Sequence, residues 1–179
     1  RETMNRSSAG PVNVGKVLRP AVLIVLAVFL ALAVPLPASA LKMISEKTLT
    51  GFKFPESVAY DPQAKVLYVS EFGSELKPME KDGKGRISKV SLTGEVLEQV
   101  FLPAAGGTLN KPKGLWVQGN RLWTTDIDSA WVFDTKTKKG RRVALPGIQF
   151  ANDPTVMGNT LYVSDNRGDQ VYSVAPADF

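Results

Sequence analysis

Three segments of the chain place a polar side chain at one corresponding position, just ahead of a short apolar strand. These residues are Glu56, Lys113 and Asn152, and Asp153 follows the last of them. Carboxylate and amide oxygens suit hard divalent cations, so Glu56 and Asn152 are predicted metal ligands. Lys113 and Asp153 are predicted to contact a substrate. Two plainer interpretations stay open: a salt bridge from Glu56 to Lys113, and a local turn at Asn152 and Asp153.

The residue types that are absent narrow the chemistry. The 179 residues include no Cys and no His, which excludes a thiol nucleophile, a disulfide, a Ser-His-Asp triad and a Cys- or His-ligated metal site. A metal would be bound by carboxylates, amides, backbone carbonyls and water. Such ligands favour Ca²⁺, Mn²⁺ or Mg²⁺, and Zn²⁺ is kept as a fourth alternative.

The candidate residues belong to a repeat that predicts β-structure. Each repeat has a short strand, a turn containing Gly or Pro, a second strand rich in aromatic and β-branched residues, and a closing acid. A further strand pair follows each acid, which gives four short strands in about 40 to 45 residues, the spacing of a propeller blade. The closing acids, Glu71, Asp126 and Asp165, recur so regularly that we predict a structural role, such as accepting backbone amides at the following turn.

The fold class predicted from this repeat is all-β, built of β-propeller blades. A β-sandwich is the alternative, but a sandwich does not require internal repetition. Residues 41–179 supply about three blades, and closed propellers have about 4 to 8. We therefore expect a partial propeller domain, the N-terminal part of a longer ring. The charged segment 73–85 reads as a loop inserted in the first blade.

Residues 1–40 have the composition of an export signal. A basic stretch precedes the apolar run 21–34, and the small residues Ala38, Ser39 and Ala40 follow two prolines. These three parts in this order predict a signal peptide, and an uncleaved N-terminal anchor is the alternative. The protein is then expected in the periplasm or outside the cell. Without the leader the net charge falls from +5 to +2, which argues against nucleic-acid binding. A membrane contact is expected only through the leader, if it is not cleaved.

The repeats resemble the senescence-marker-protein/gluconolactonase family of six-bladed propellers, and more loosely NHL repeats. The resemblance covers residues 54–174 and is carried mainly by Pro55-Glu56-Ser57-Val58 and Leu67-Tyr68-Val69-Ser70. It implies that Glu56 is a metal ligand and that Asn152 lines the same site. It also implies metal-assisted hydrolysis of a sugar lactone, with a carboxylate activating water. Lys113 departs from the family pattern, which commonly has an amide there.

Two functions follow as alternatives. The first is an exported, lactonase-like hydrolase that depends on a divalent metal, with its catalytic residues unassigned. The second is a non-catalytic propeller that binds a small molecule or a protein partner in the periplasm or outside the cell. In both, a small-molecule ligand is expected at the mouth of the central channel, where the innermost strands begin.

Overall fold

A computed structural model describes residues 45–179, and within them it contains eleven β-strands and no helix. The strands form two four-stranded sheets and one three-stranded sheet, and within each sheet consecutive strands pair antiparallel. We call them blade 1 (β1–β4), blade 2 (β5–β8) and blade 3 (β9–β11). The strands are β1 Pro55–Asp61, β2 Val66–Glu71, β3 Arg86–Ser91, β4 Val96–Leu102, β5 Pro112–Gln118, β6 Arg121–Asp126, β7 Ser129–Asp134, β8 Gly140–Ala144, β9 Ala151–Met157, β10 Thr160–Asp165 and β11 Gln170–Val174.

The predicted leader, residues 1–40, lies outside the described residues, and so does the cleavage site that bounds the predicted domain at residue 41. The blades belong to one compact unit, Thr48–Phe179. Between residues 45 and 179 we find no helical segment with the length and apolar character of a membrane span.

The hairpins form where the sequence supplies turn residues. Gly119 and Gly158 adopt positive φ angles of 61° and 59°, a conformation that is open to glycine and strained for most other residues. Each glycine and the asparagine after it make a two-residue connection between paired strands, as the Gly-Asn dipeptides predict. Segment 73–85 connects β2 to β3 without regular strand structure, as predicted for the inserted loop.

Neighbouring blades pack face to face, and the core lies between them. Successive side chains of a strand point to opposite faces of its sheet. Accordingly, Leu122 of β6 packs with Tyr68 and Phe101 of blade 1, whereas Trp123 packs with Leu161 and Val163 of blade 3. The innermost strands lie side by side, β1 next to β5 and β5 next to β9. Stacked antiparallel blades of this kind, with buried faces between them, confirm the predicted all-β propeller architecture.

The closing acids do hold backbone amides, as predicted, although most of these amides precede the innermost strand rather than lying in the following turn. Asp126 is 2% exposed and accepts the amides of Asn110 and Lys111, both at 2.8 Å. Asp165 accepts those of Gln149 and Phe150 at 2.9 and 2.8 Å. These residues precede the innermost strand of the same blade. Each acid therefore fastens the chain as it enters the blade, and Asp165 adds the amide of Gly168 in the following turn.

Candidate functional site

Glu56, Lys113 and Asn152 occupy equivalent positions in the three blades. In each blade the residue before them pairs with the closing acid: Pro55 with Glu71, Pro112 with Asp126, Ala151 with Asp165. The pairing register then shifts by one residue before it resumes. Such a β-bulge leaves the extra residue without a regular partner and redirects its side chain. The three site residues therefore begin the bulge of three adjacent inner strands.

Hydroxyl groups of one blade hold the site residues of the next. The Ser70 hydroxyl donates to the carbonyl oxygen of Lys113 at 2.7 Å, and the Thr125 hydroxyl donates to the carbonyl oxygen of Asn152. Ser70 and Thr125 each stand immediately before a closing acid. Because these bonds cross from blade to blade, they set the relative position of the three inner strands at this end. We call Glu56, Lys113, Asn152 and Asp153 the mouth cluster.

Lys113 is fully buried, yet no carboxylate lies within 4.0 Å of its ammonium among residues 45–179. The ammonium donates to the carbonyl oxygen of Lys111 at 3.3 Å and lies 4.4 Å from the ring centroid of Phe150. Burial lowers the pKa of Lys113 to about 8, against the attraction of Asp126 and Glu56. The structure thus places an incompletely paired cation in the centre of the mouth cluster.

Two carboxylates, Glu56 and Asp153, belong to the same cluster and act on each other. Burial and then the charge of Asp153 raise the pKa of Glu56, while Lys113 acts to lower it. The salt bridge between Glu56 and Lys113, one of the two alternatives left open by the sequence, is absent from the ion pairs of residues 45–179, so their attraction acts at longer range. The carboxylate of Asp153 approaches the backbone of Gly114 closely. Only glycine allows this approach, because a Cβ at residue 114 would lie 2.4 Å from Asp153 Oδ1. Asn152 and Asp153 lie within β9 rather than in a separate turn.

The oxygen donors of the mouth cluster do not by themselves complete a divalent-cation site. Within residues 45–179 no group of three or more acidic side chains is arranged to hold a metal. Glu56, Asn152 and Asp153 supply two carboxylates and one amide, and the buried ammonium of Lys113 opposes a second positive charge. A cation would need ligands beyond these three. The arrangement does suit hydrogen bonding to a polar molecule, since one donor cation and several oxygen acceptors belong to the same cluster.

The loop beside the mouth cluster is fixed by a second buried lysine that the sequence did not reveal. Lys111 is 0% exposed, and its ammonium donates to Asp82 at 2.7 Å, Ser74 at 2.9 Å and the carbonyl oxygen of Phe72 at 3.2 Å. Burial acts to raise the pKa of Asp82, but the hydrogen bonds from Lys111 and Ser74 outweigh it and lower that pKa to about 2. Lys111 therefore ties loop 73–85 to the start of β5.

Three further residues complete the surroundings of Lys113. The rings of Phe150 and Phe72 face its ammonium, the second at 6.0 Å. The guanidinium of Arg167 lies 4.9 Å from the Phe150 ring centroid. Sequence reasoning missed them because they lie outside the repeated hairpin. One signal was present, since Phe72 and Arg167 each follow a closing acid within two residues.

Comparison with solved structures shows the fold alone. The chain is similar to a chain of the nidogen/laminin complex, with 22% identity and a TM-score of 0.55 over 72% of this chain and 45% of that one. It is less similar to the extracellular domain of a protein from B. thetaiotaomicron, with 16% identity, a TM-score of 0.49, and 69% and 15% coverage. The computationally designed Ika4 protein gives 12% identity, a TM-score of 0.43, and 74% and 99% coverage.

The sequence comparisons add no family. No family model matches the chain, and no curated protein matches it. The chain spans less than half of the nidogen/laminin chain to which it is similar. The blades and this likeness together define the class of protein, a β-propeller. The resemblance to the gluconolactonase family is not confirmed and stays a prediction.

Proposed function

We propose that the chain belongs to a ligand-binding β-propeller that holds a small polar molecule at the mouth cluster. The observation that carries this proposal is the equivalence of Glu56, Lys113 and Asn152 at the bulges of three adjacent inner strands. A buried ammonium with a single hydrogen bond has donor capacity left over. Buried polar groups normally have partners, so a ligand that accepts from Lys113 completes the site.

The same arrangement favours hydroxylated ligands. Glu56 and Asp153 can accept from hydroxyl groups, and Lys113 can donate to a hydroxyl, carbonyl or carboxylate oxygen. Phe150 adds an apolar wall beside the ammonium. Ligand sites commonly combine an apolar wall with a few placed polar groups. A sugar-derived lactone or its ring-opened acid offers matching hydroxyl and carbonyl oxygens.

The second candidate is metal-assisted hydrolysis of such a lactone. It is supported by the two neighbouring carboxylates, Glu56 and Asp153, with the Asn152 amide beside them. Glu56 and Asn152 would hold Ca²⁺, Mn²⁺, Mg²⁺ or Zn²⁺, and the cation would supply Lewis acidity when bound. Lys113 would orient the lactone oxygen. Further ligands would come from outside the described residues.

Calorimetric titration with glucono-δ-lactone and with gluconate, in EDTA and then in each cation, distinguishes these functions. We expect saturable binding in EDTA that weakens about tenfold, close to 1.4 kcal/mol, in Glu56→Gln. Glu75→Gln is the matched control, since Glu75 pairs with exposed Lys77 in loop 73–85. Turnover that requires a cation and is lost in Glu56→Gln would favour the hydrolase. If the protein shows no binding and no turnover, both proposed functions are refuted.

We propose also that the protein is exported. The support is the order of basic stretch, apolar run and Ala-Ser-Ala in residues 1–40. Fusing these residues to alkaline phosphatase, which is active only after export, should give an active enzyme whose leader is cut after Ala40. A charged residue within the apolar run, Val25→Arg, should abolish that activity. Equal activity of both fusions would contradict the proposal.

A further inference from the structure

A basic groove follows the seam between blades 1 and 2, away from the mouth cluster. Two cavities of about 630 and 640 Å³ open along it. Phe101, Glu98 and Lys138 line both cavities, so the two are halves of one groove. A smaller cavity of about 230 Å³ continues from Lys138 towards Trp131 and Phe133. We call the whole the seam groove, and no residue of the mouth cluster lines it.

Positive charge dominates the seam groove. Its walls carry six basic residues and two acidic ones, Asp61 and Glu98. Four of the basic residues make no ion pair among residues 45–179, whereas one of the two acids, Glu98, is already paired with Lys138. The four are Lys84, Lys89, Lys136 and Lys139. Such an excess of unpaired cations in a cleft attracts an acidic partner.

The floor of the groove holds two of its cations in place. The ring of Phe101 is 2% exposed and stacks on Tyr68 with centroids 5.1 Å apart. The ammonium groups of Lys138 and Lys89 lie 4.9 and 5.3 Å from the Phe101 centroid. Cation–π attraction to a fixed ring restrains both lysines. The groove therefore presents two positioned charges rather than two mobile side chains.

Glu98 occupies the place that a partner's carboxylate would take. It reaches from β4 of blade 1 to Lys138 in the turn between β7 and β8 of blade 2. This pair stands between the two larger cavities, and its members are 40% and 32% exposed. An exposed pair of this kind is weak and is readily exchanged. From this geometry we infer that the seam groove binds an acidic peptide segment, whose carboxylates displace Glu98 from Lys138 and contact Lys89.

An acidic peptide fits better than an anionic polysaccharide. Sugar rings bind on exposed aromatic faces, and the Phe101 ring at the centre of this groove is covered. The walls offer small apolar side chains instead, with Pro103 and Ala104 beside Val100, which is 51% exposed. A peptide whose carboxylates alternate with apolar side chains can use both the charges and these contacts.

The test uses fluorescence anisotropy with a labelled peptide of alternating glutamate and leucine, added to the full chain. Glu98→Gln should bind about two- to five-fold more tightly, because the competing carboxylate is removed. Lys138→Asn should bind at least about fivefold more weakly, and asparagine tolerates the positive φ of 60° at this turn. Lys77→Gln, an exposed lysine outside the groove, should bind as the unaltered protein does.

Three results would overturn the inference. The first is equal affinity in Glu98→Gln and the unaltered protein, since a gain in binding cannot arise from misfolding. The second is an equal loss in Lys77→Gln and Lys138→Asn, which would indicate general charge attraction. The third is that the peptide does not bind, whereas a heparin oligosaccharide binds and responds to Glu98→Gln and Lys138→Asn in the way predicted for the peptide. Because the mouth cluster is not involved, failure of the proposed function leaves this inference unaffected.

Discussion

Lys113→Met is expected to make the protein more stable and to abolish ligand binding at the mouth cluster. Lys113 is 0% exposed, and its charge has one hydrogen bond, at 3.3 Å, to offset the loss of water. Burying an ammonium without a close carboxylate is costly. Methionine has a similar volume and can pack against Phe72 and Phe150. We expect a gain of about 2 kcal/mol in the free energy of unfolding at pH 7.

The pH dependence of stability gives this prediction a specific signature. The pKa of Lys113 falls from its ordinary value of 10.5 to about 8 on folding. Between those values the unfolded chain holds a proton that the folded protein has lost, so stability rises with pH. Below pH 8 both states are protonated, and this contribution is constant. Lys113→Met should lack the rise between pH 8 and 10, as measured by urea unfolding.

Lys111 provides the matched control for this experiment. It is buried to the same extent as Lys113, but its ammonium has three partners, including Asp82 at 2.7 Å. Lys111→Met should therefore destabilise the protein, by about 3 kcal/mol, because it leaves Asp82 and its neighbours without their donor. If both methionine variants shift stability in the same direction, the distinction between a satisfied and an unsatisfied lysine is wrong.

Asp126→Ala is expected to cause the second large effect, a loss of about 3 kcal/mol. The carboxylate accepts the amides of Asn110 and Lys111, and the substitution leaves these two partly or fully buried donors without a partner, at about 1–3 kcal/mol each. The segment that enters blade 2 is then held less firmly. Urea unfolding of the variant measures the loss.

Asp134→Ala is the control for the closing acid. Asp134 also accepts two amides, those of Lys136 and Thr137, at 3.0 and 2.7 Å. These bonds are exposed, so water can replace the carboxylate, and a much smaller loss of stability than in Asp126→Ala is expected. A similar loss in the two alanine variants would mean that burial does not explain the role of the closing acids.

Much of the fold could be predicted because its signals are local. The Gly119-Asn120 and Gly158-Asn159 dipeptides mark their hairpins through the backbone conformation they permit. Alternation along β6 sends Leu122 and Trp123 to opposite faces, and the aromatic residues of the second strands in blades 1 and 2, Tyr68 and Trp123, lie in the core. Tyr162, which has the same position in β10 of blade 3, is only half-buried.

The site could be predicted only in part, because its partners come from distant positions. The repeat was enough to align Glu56, Lys113 and Asn152. No local pattern reports that Lys113 loses all exposure, or that Phe150 and Arg167 close around it. Nor could the sequence distinguish Lys111 from Lys113, because the loop residues that pair with Lys111, Ser74 and Asp82, are distant in sequence. Burial and pairing of this kind depend on tertiary packing.

The hydroxyl bonds between blades have a consequence for engineering. Ser70 of blade 1 holds the backbone of Lys113 in blade 2, and Thr125 of blade 2 holds that of Asn152 in blade 3. The unit that carries a site residue together with its support is therefore offset from the blade. It runs from the second strand of one sheet to the first strand of the next. A chimera joined at the start of β2 or β6 keeps each such unit intact, whereas one joined between sheets separates a site residue from the group that positions it.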